Sequence, residues 1–464
     1  VLFFKGSTTG ALFRAAVLLV IRYYIAIMAA AVVKSIGLMS GTSIDGGISV
    51  ALISTDGESK VNRLASLEYT YEPGYLNPLR PIHHATKAGE LAYRAAKGDH
   101  EGASRAYPEA LKRYCEETFH SLTKAQVANK ISEITDAFLK VTPGHSQLTL
   151  EAVIDKSTRL HVEAVEALIQ QESIQRQEIA FIGYHGQTLF HAPFDRITVQ
   201  VGHPKFMADR TGIPVVYDFR SNDVAHGGQG APLAPIYHLA LAKQAGLEGI
   251  AVLNLGGTAN LSLVLTQSES PLAFDTGPAN ALIDLWVKER LDRSHDIDSE
   301  LALKGTINQA ALDALLKSAI ILPDGRNYLD ILPPKSLDIR DYNFKVPEFL
   351  KLSVEDGCAT LNAFTAECVV RGLEYAKAIP KRWAACGGGV KNLHLLKTLT
   401  RRVKEVYRLD IELTSADALG WSSAAMEAEL FAFLAVRSAR GLPITFPSTT
   451  GVREPMTGGR LVNT

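Results

Sequence analysis

Ile36-Gly37-Leu38-Met39-Ser40-Gly41-Thr42-Ser43-Ile44-Asp45-Gly46-Gly47 runs directly into an apolar, β-prone segment from Ile48 to Ile53. Glycines and hydroxyl residues stand between two strand-like stretches, with one carboxylate, Asp45, at the tip. Such a composition suits a tight strand-to-strand turn whose backbone N–H groups and hydroxyls face a bound anion. A phosphate is the natural guest, and Asp45 is placed to hold a hydrated Mg²⁺ beside it. An ordinary hairpin rich in turn residues is the competing reading.

A second stretch repeats the pattern far along the chain. Val252-Leu253-Asn254-Leu255-Gly256-Gly257-Thr258-Ala259-Asn260-Leu261-Ser262-Leu263 again places a glycine turn between two strands. Two such hairpins suggest duplicated halves facing each other across a cleft, with a nucleotide phosphate chain held between the turns. Strand-like segments (Ile179–Gly183, Ile197–Gly202, Ile213–Tyr217, Ile250–Leu255, Leu261–Leu265) alternate with helix-like ones (Ser157–Gln171, Pro232–Ala245, Asn280–Arg290, Ala359–Ala378). That alternation predicts an α/β architecture with largely buried sheets. A further helix is expected over Pro108–Gln126, with the proline near its start. No GxxxxGK[ST] occurs and no GxGxxG follows a strand, so Walker and Rossmann nucleotide sites have no support.

Composition narrows the class. A chain of 464 residues is long for one core and suggests two domains, perhaps three. Lys+Arg 48 against Asp+Glu 49 gives a net charge of −1, with no basic run that would point to nucleic acid. The four cysteines (Cys115, Cys358, Cys368, Cys386) lack CxxC spacing and read as reduced thiols of a cytoplasmic protein. Residues 1–35 contain no Asp or Glu, and Ala11 to Val33 is strongly apolar. Arg14 and Arg22 interrupt that run, and an arginine near a helix centre costs about 2.5–3.5 kcal/mol on insertion scales, which argues against a membrane span. Residues 1–34 are expected to be an extension outside the fold, with Met28 a natural start and a targeting segment the minority reading.

Three further groups bear on chemistry. Asp275, in Ala273-Phe274-Asp275-Thr276-Gly277-Pro278-Ala279-Asn280, precedes a helix and suits either a cap or a general base over the cleft. Beside two glycine turns the base is the better reading. Cys386-Gly387-Gly388-Gly389-Val390-Lys391-Asn392 would let a flat ligand such as adenine approach the backbone. Polar strand ends at Gly183–Thr188, Asp218–Asp223 and Gly227–Leu233 suit a sugar pocket or, equally, solvated loops. His185, His191, His203 and His226 match no usual metal-ligand spacing.

Taken in order, MSGTSIDG (39–46), GYHGQT (183–188), TVQVG (198–202), DFRSND (218–223), GGQGAPL (227–233), NLGGTANLS (254–262), FDTGPAN (274–280), CGGGVKN (386–392) and the closing Leu442–Gly451 segment resemble the anhydro-N-acetylmuramic acid kinases. The resemblance implies a two-domain actin/hexokinase-type fold with ATP in the interdomain cleft. The first domain would comprise 35–220 with 443–464, and the second 221–442. It implies a reaction in which water opens a 1,6-anhydro sugar while O6 takes the γ-phosphoryl group of ATP, with Mg²⁺. Asp275 would be the base. ATP would meet Gly41, Thr42, Ser43, Ile44, Asp45, Gly46, Gly47, Ile48, Gly256, Gly257, Gly387, Gly388 and Gly389. Thr188, Arg220 and Asp223 would seat the sugar. No nucleic-acid or membrane partner is implied, and a homodimer is compatible with the reading. Two departures stand out: Ile48 occupies the position of the family's second acidic residue in the first turn, and Ala363 stands where a related stretch often has glutamate. Levoglucosan kinase, or a catalytically impaired ligand-binding homologue, are the alternatives.

Overall fold

The computed structural model describes residues 31–40, 47–69, 79–142, 144–268, 270–322, 325–337, 342–343 and 345–464. The expectations placed on residues 1–30 and on Gly41 to Gly46, Asp45 included, lie outside these. Thirteen strands are present among them: β1 (Val33–Ser40), β2 (Ile48–Thr55), β3 (Val61–Tyr69), β4 (Ile179–Tyr184), β5 (Gln187–Ala192), β6 (Ile197–Val201), β7 (Val215–Tyr217), β8 (Gly249–Leu255), β9 (Thr258–Leu265), β10 (Leu272–Pro278), β11 (Arg382–Cys386), β12 (Glu412–Ser415) and β13 (Arg460–Val462).

One plan is used twice. The first sheet has the order β13-β7-β4-β1-β2-β3 and the second β10-β9-β8-β11-β12. In each, a central strand (β1 or β8) pairs antiparallel with the strand that follows it, which pairs antiparallel with a third. On its other side the central strand pairs parallel with β4 or β11, and these pair parallel with β7 or β12. β13 extends the first sheet and β5–β6 form a separate ribbon. This doubled strand plan is the two-domain actin/hexokinase-type α/β fold.

The central strands are apolar on both faces because helices cover both, as parallel-sheet burial requires. Ile36, Leu38, Val50, Ile250, Val252 and Leu253 are all essentially inaccessible. The helix Met426–Ala439, expected in the second unit, lies on β1, β2 and β4 of the first sheet. Its path is set by two glycines in register, Gly37 and Gly183. A Cβ at Gly37 would stand 1.9 Å from Ala428 O, and one at Gly183 2.0 Å from Phe431 O. The backbones touch there, and no side chain larger than hydrogen fits. The helix is buried along most of its length, and its core also takes in Ile236, Ile250, Val252 and Ala384 from the second half.

Most expected elements appear with shifted ends. The Pro108–Gln126 helix does not: the chain forms His100–Thr118 and Lys124–Lys140, with Pro108 inside the first. Caps decide the boundaries. Asp99 accepts from Gly102 N–H at 2.5 Å to start the first helix, and a Thr123/Gln126 capping box starts the second. Proline forfeits one intrahelical bond, a loss that the buried face of Ala103, Tyr107, Ala110 and Leu111 offsets. Among the described residues no helix is long and apolar enough to cross a membrane.

The Gly37–Gly183 contact yields a stability prediction. Gly183→Ala should lower the unfolding free energy by about 3 kcal/mol or more, because both the carbonyl and the strand it meets are backbone. Urea denaturation checks this; a loss below about 1 kcal/mol would mean that the helix can move off the sheet.

Candidate active site

The polar residues singled out in the sequence gather at the carboxyl ends of the parallel strands, where open α/β sheets take their ligands. In the second half, the turn Gly256–Gly257 joins β8 to β9. Its carbonyls are consumed by the start of the helix Asn280–Leu291: Ala279 N–H and Ala281 N–H reach Gly257 O at 2.9 and 3.2 Å, and Asn280 N–H reaches Gly256 O at 3.0 Å. Asn280 Nδ2 also donates to Leu255 O and Gly256 O, each at 2.9 Å. The N–H groups of Gly256 and Gly257 make no hydrogen bond among the described residues, which leaves them for an anion.

The third glycine cluster comes to the same place. Gly387 follows β11 at φ +79, and a Cβ on it would meet Asn254 Oδ1 at 2.5 Å. One on Gly389 would meet Leu255 Cβ at 2.6 Å, while Gly388 lies beside Asn280 Nδ2. The structure thus brings Gly256, Gly257 and Gly387–Gly389 together around Asn280. In the first half, Gly47 sits at φ +104 just before β2. Ser40, at the end of β1, is buried and bonds through Oγ to Gln187 Oε1 (3.0 Å) and His161 Nε2 (3.1 Å). Ile48 is 2 % exposed, pairs with Ser40 and Tyr69, and belongs to the core. Where the resemblance suggests a second acid, this chain has a packing residue.

Asp275 lies on β10 opposite Asn260, beside a bulge, so it is no helix cap; Ala279 occupies the N-cap position and makes no side-chain bond. Its backbone N–H donates to Lys335 O at 3.1 Å, and its carbonyl accepts from Tyr328 Oη at 2.6 Å. Oδ2 accepts from Leu337 N–H at 2.8 Å, and Oδ1 has no hydrogen bond among the described residues. Burial pushes the carboxyl up to about 7, against the opposing pull of the Leu337 N–H. A base poised near neutrality, with one oxygen open, is suited to taking a proton from water.

On the sugar side, Arg220 Nε donates to His185 Nε2 at 2.9 Å and Nη1 to Gly230 O at 2.7 Å. His185 Nδ1–H donates to Gly186 O at 2.9 Å, and burial holds its ring neutral, well below the usual histidine range. Burial also lowers Arg220, to about 10. Asp223 is buried and fully engaged: Oδ1 accepts from Gly230 N–H at 2.6 Å and Oδ2 from Thr450 Oγ1 at 2.5 Å. A Cβ on Gly228 would sit 2.0 Å from Asp223 Oδ1, so the GGQG loop wraps this carboxylate closely. Asp223 ties loops together, and a sugar would have to compete with those bonds. Thr188 lies on β5 and accepts from Gln200 at 3.4 Å, bonded to neither Arg220 nor Asp223. His191, His203 and His226 serve separately, on Thr198, Glu151 and Asn222. Among the described residues no group of three or more His, Cys, Asp or Glu is placed to hold a metal.

The segment Ser448–Thr450 joins the two sides. Ser448 O accepts from Ala273 N–H of β10 at 3.1 Å, while Thr450 O accepts from Gln229 N–H at 2.7 Å. One carboxylate here escaped the sequence reading. Glu427, in the first turn of Met426–Ala439, is solvent-reachable yet ringed by protein; burial raises its pKa, and the Arg220 charge opposes this. Its charge also reaches Cys386 at the end of β11, so it is felt by both halves. Two acids, Glu427 and Glu429, in an otherwise apolar helix were the available signal; Glu429 is accounted for by Tyr237 Oη at 2.8 Å. Ala363 lies elsewhere, buried in Val354–Gly372 and lining a cavity of about 340 Å³ with Leu312, Arg371 and Arg402.

Open glycine N–H groups after β8, a neutral-range carboxylate on β10 and a half-buried arginine on the sugar side define a phosphotransferase of the sugar-kinase class. A sequence profile for anhydro-N-acetylmuramic acid kinase matches residues 132–463. Proteins of that name from Methylobacterium nodulans and Methylorubrum populi are 43% and 41% identical, each over 92% of this chain and 98% of the relative. One from Rhodospirillum rubrum is 40% identical over 92% of this chain and 93% of its own. The chain belongs to the anhydro-N-acetylmuramic acid kinase family. Overlay on a ROK family glucokinase from Streptomyces griseus is loose, with a TM-score of 0.34 at 12% identity over 87% of this chain and 99% of that one, and the fold assignment rests on strand order instead.

The raised Asp275 carboxyl has a measurable signature. Its folded-state pKa of about 7 exceeds the ordinary 3.8, so the folded protein binds this proton more tightly than the unfolded chain does. Its contribution to stability is therefore present at low pH and is lost as pH rises through about 7. Asp275→Asn should raise Tm above pH 7, with the gain shrinking to nothing toward pH 4. Thermal melts of both proteins across that range check it; a gain independent of pH would show that the carboxyl is not desolvated.

Proposed function

We propose that the chain is an ATP-dependent kinase that opens 1,6-anhydro-N-acetylmuramic acid by hydrolysis and phosphorylates O6, giving N-acetylmuramic acid 6-phosphate and ADP. The reading is carried by one observation: a carboxylate near pKa 7, with one oxygen not hydrogen-bonded among the described residues, lies on the strand next to a turn whose two glycine N–H groups have no partner among them. The family name and the relatives' names supply the substrate.

In this reading Asp275 Oδ1 accepts a proton from the water that attacks C1. The C1–O6 bond breaks, and O6 forms its new bond to the γ-phosphorus as the bond to ADP breaks. The N–H groups of Gly256 and Gly257 carry the phosphate charge, and the adenosine portion lies along the Gly387–Gly389 backbone, where Gly387 and Gly389 pack against Asn254 and Leu255 and Gly388 stays open. Asp45 would hold Mg²⁺, which would supply charge neutralisation for the transferring phosphates. Arg220, fixed by His185 and Gly230 O, presents its remaining N–H groups to the sugar, with Thr188 and Asp223 as supporting contacts. Glu427 faces the same space and is the candidate partner for orienting the water. A reaction fed by ATP fits the cytoplasm. Levoglucosan kinase is the weaker reading, because the relatives described above carry the muramic acid name.

The test is incubation with each anhydro-sugar and ATP, reading sugar 6-phosphate and ADP. Turnover of the muramic acid sugar is expected, falling on the acid side of pH 7 as Asp275 is protonated. Asp275→Asn should reduce kcat by about 10²- to 10⁴-fold while leaving ATP affinity intact, and Glu427→Gln should also reduce kcat. Near-normal turnover by Asp275→Asn would remove the base assignment. Absence of turnover on either sugar by the parent enzyme would remove the activity.

A further inference from the structure

Asp275 sits on β10, and the free edge of that strand is covered by the segment Tyr328–Leu337. This strap is tied to one residue three times: Tyr328 Oη donates to the Asp275 carbonyl (2.6 Å), Lys335 O accepts the Asp275 N–H (3.1 Å), and Leu337 N–H donates to Oδ2 (2.8 Å). The strap has little regular structure of its own beyond one turn of 3₁₀ helix at Tyr328–Asp330. Something else must hold its two ends together.

Lys335 is placed to do so. Its side chain is 7 % exposed and its ammonium donates back to Tyr328 O at 3.1 Å, closing the strap on itself. The same ammonium lies 4.5 Å from the centre of the Tyr328 ring and 5.3 Å from that of Tyr375. Tyr375 Oη in turn reaches Leu329 O at 3.4 Å. A buried lysine with one carbonyl partner and two ring faces is a cation–π cage built into the protein. We propose that Lys335 is a positioning residue for the reaction: caged by Tyr328 and Tyr375, it clamps the strap around Asp275 so that Oδ2 is held by Leu337 and Oδ1 alone faces substrate. The proposal rests on reading Asp275 as the base.

The charge of Lys335 acts through geometry. The ionisable groups facing it are Cys368 on Val354–Gly372 and Asp330 on the strap, and Tyr375 is faced by Glu374, Asp330 and Arg371. None of these charges contributes to the shift of Asp275, which arises from burial and the Leu337 N–H. Releasing the strap admits water to a carboxyl whose shift arises chiefly from burial, which outweighs the lost Leu337 donor and moves its titration downward.

The experiment compares the full-length parent with Lys335→Met, Lys335→Arg and Tyr328→Phe across neutral pH. Lys335→Met should lower kcat by about 10- to 100-fold with KM for ATP unchanged, as misplacement of a reacting group does. The acidic limb of its kcat profile should move to lower pH, and Lys335→Arg should restore both. Tyr328→Phe keeps the core volume, loosens the other end of the strap and should move the limb the same way. An unmoved limb in Lys335→Met overturns the proposal whatever its kcat; should that variant not fold, an unmoved limb in Tyr328→Phe does so. Turnover is not needed for a parallel readout. The pH at which the stability gain of Asp275→Asn levels off, which is set by the folded-state pKa, should fall in the Lys335→Met or Tyr328→Phe background, and an unchanged level-off pH again overturns the clamp. Loss of all activity in the parent would instead remove the functional reading while leaving this second readout able to judge the strap.

Discussion

The backbone contact between the helix Met426–Ala439 and the Gly37–Gly183 pair sets the spacing on which the site depends. With Cβ atoms excluded from both positions, the helix axis approaches the first sheet as closely as backbone permits. Its opposite face packs with Ile250, Val252 and Ala384, so the same helix also fixes the approach of the second half. Glu427, in its first turn, is thereby placed where its charge reaches both Arg220 and Cys386. Farther along, Arg437 binds Gly57 O at 2.6 Å and Pro443 O at 2.8 Å, locking the helix to the β2–β3 turn and to the segment that returns toward Ser448 and Thr450. Two glycines therefore act on the chemistry only through a helix position.

Desolvation is the second constraint, and it works against stability. A carboxyl raised to about 7 is one that the fold would rather keep protonated, and ionising it at physiological pH costs stability that an amide would not. The gain is a base with appreciable basicity that is still ionised near neutrality. His185 shows the converse use of burial: kept neutral, it can accept from Arg220 while donating to Gly186 O, and so orients the guanidinium without adding a second positive charge.

Much of this was legible in the sequence because turn chemistry is local. Glycine clusters flanked by β-branched runs announced both hairpins, and the repeated pattern implied duplicated halves. Non-local facts were hidden. A cap remained the competing reading of Asp275 until its strand placement put four residues between it and Asn280 at the start of the helix. Asp223 was expected to help seat the sugar, and nothing in DFRSND reveals that Thr450 and Gly230 also bond its two oxygens. Pro108 suggested a helix start, whereas Asp99 and Thr123, stronger caps, set the real boundaries. Glu427 was visible as a charge in an apolar helix, but only the fold says which cleft it faces.

The duplicated plan explains why the base sits where it does. Asp275 is on the third strand of its half, and β3 holds the equivalent place in the first. β3 exposes most of its side chains and carries Arg63 and Glu68, the usual protection of an open edge. β10 cannot use that device, because a carboxylate among charges and water would return to its ordinary pKa. Its edge is closed by chain instead: Ala273 N–H pairs with Ser448 O and Asp275 N–H with Lys335 O. Covering the edge satisfies the backbone and excludes water from the carboxyl in one move. Both covering segments also touch the sugar-side loop, through Ser336 Oγ to Gln229 Oε1 at 3.3 Å and Gln229 N–H to Thr450 O at 2.7 Å. The edge protection that desolvates the base is thus the same structure that ties it to the loop holding Arg220.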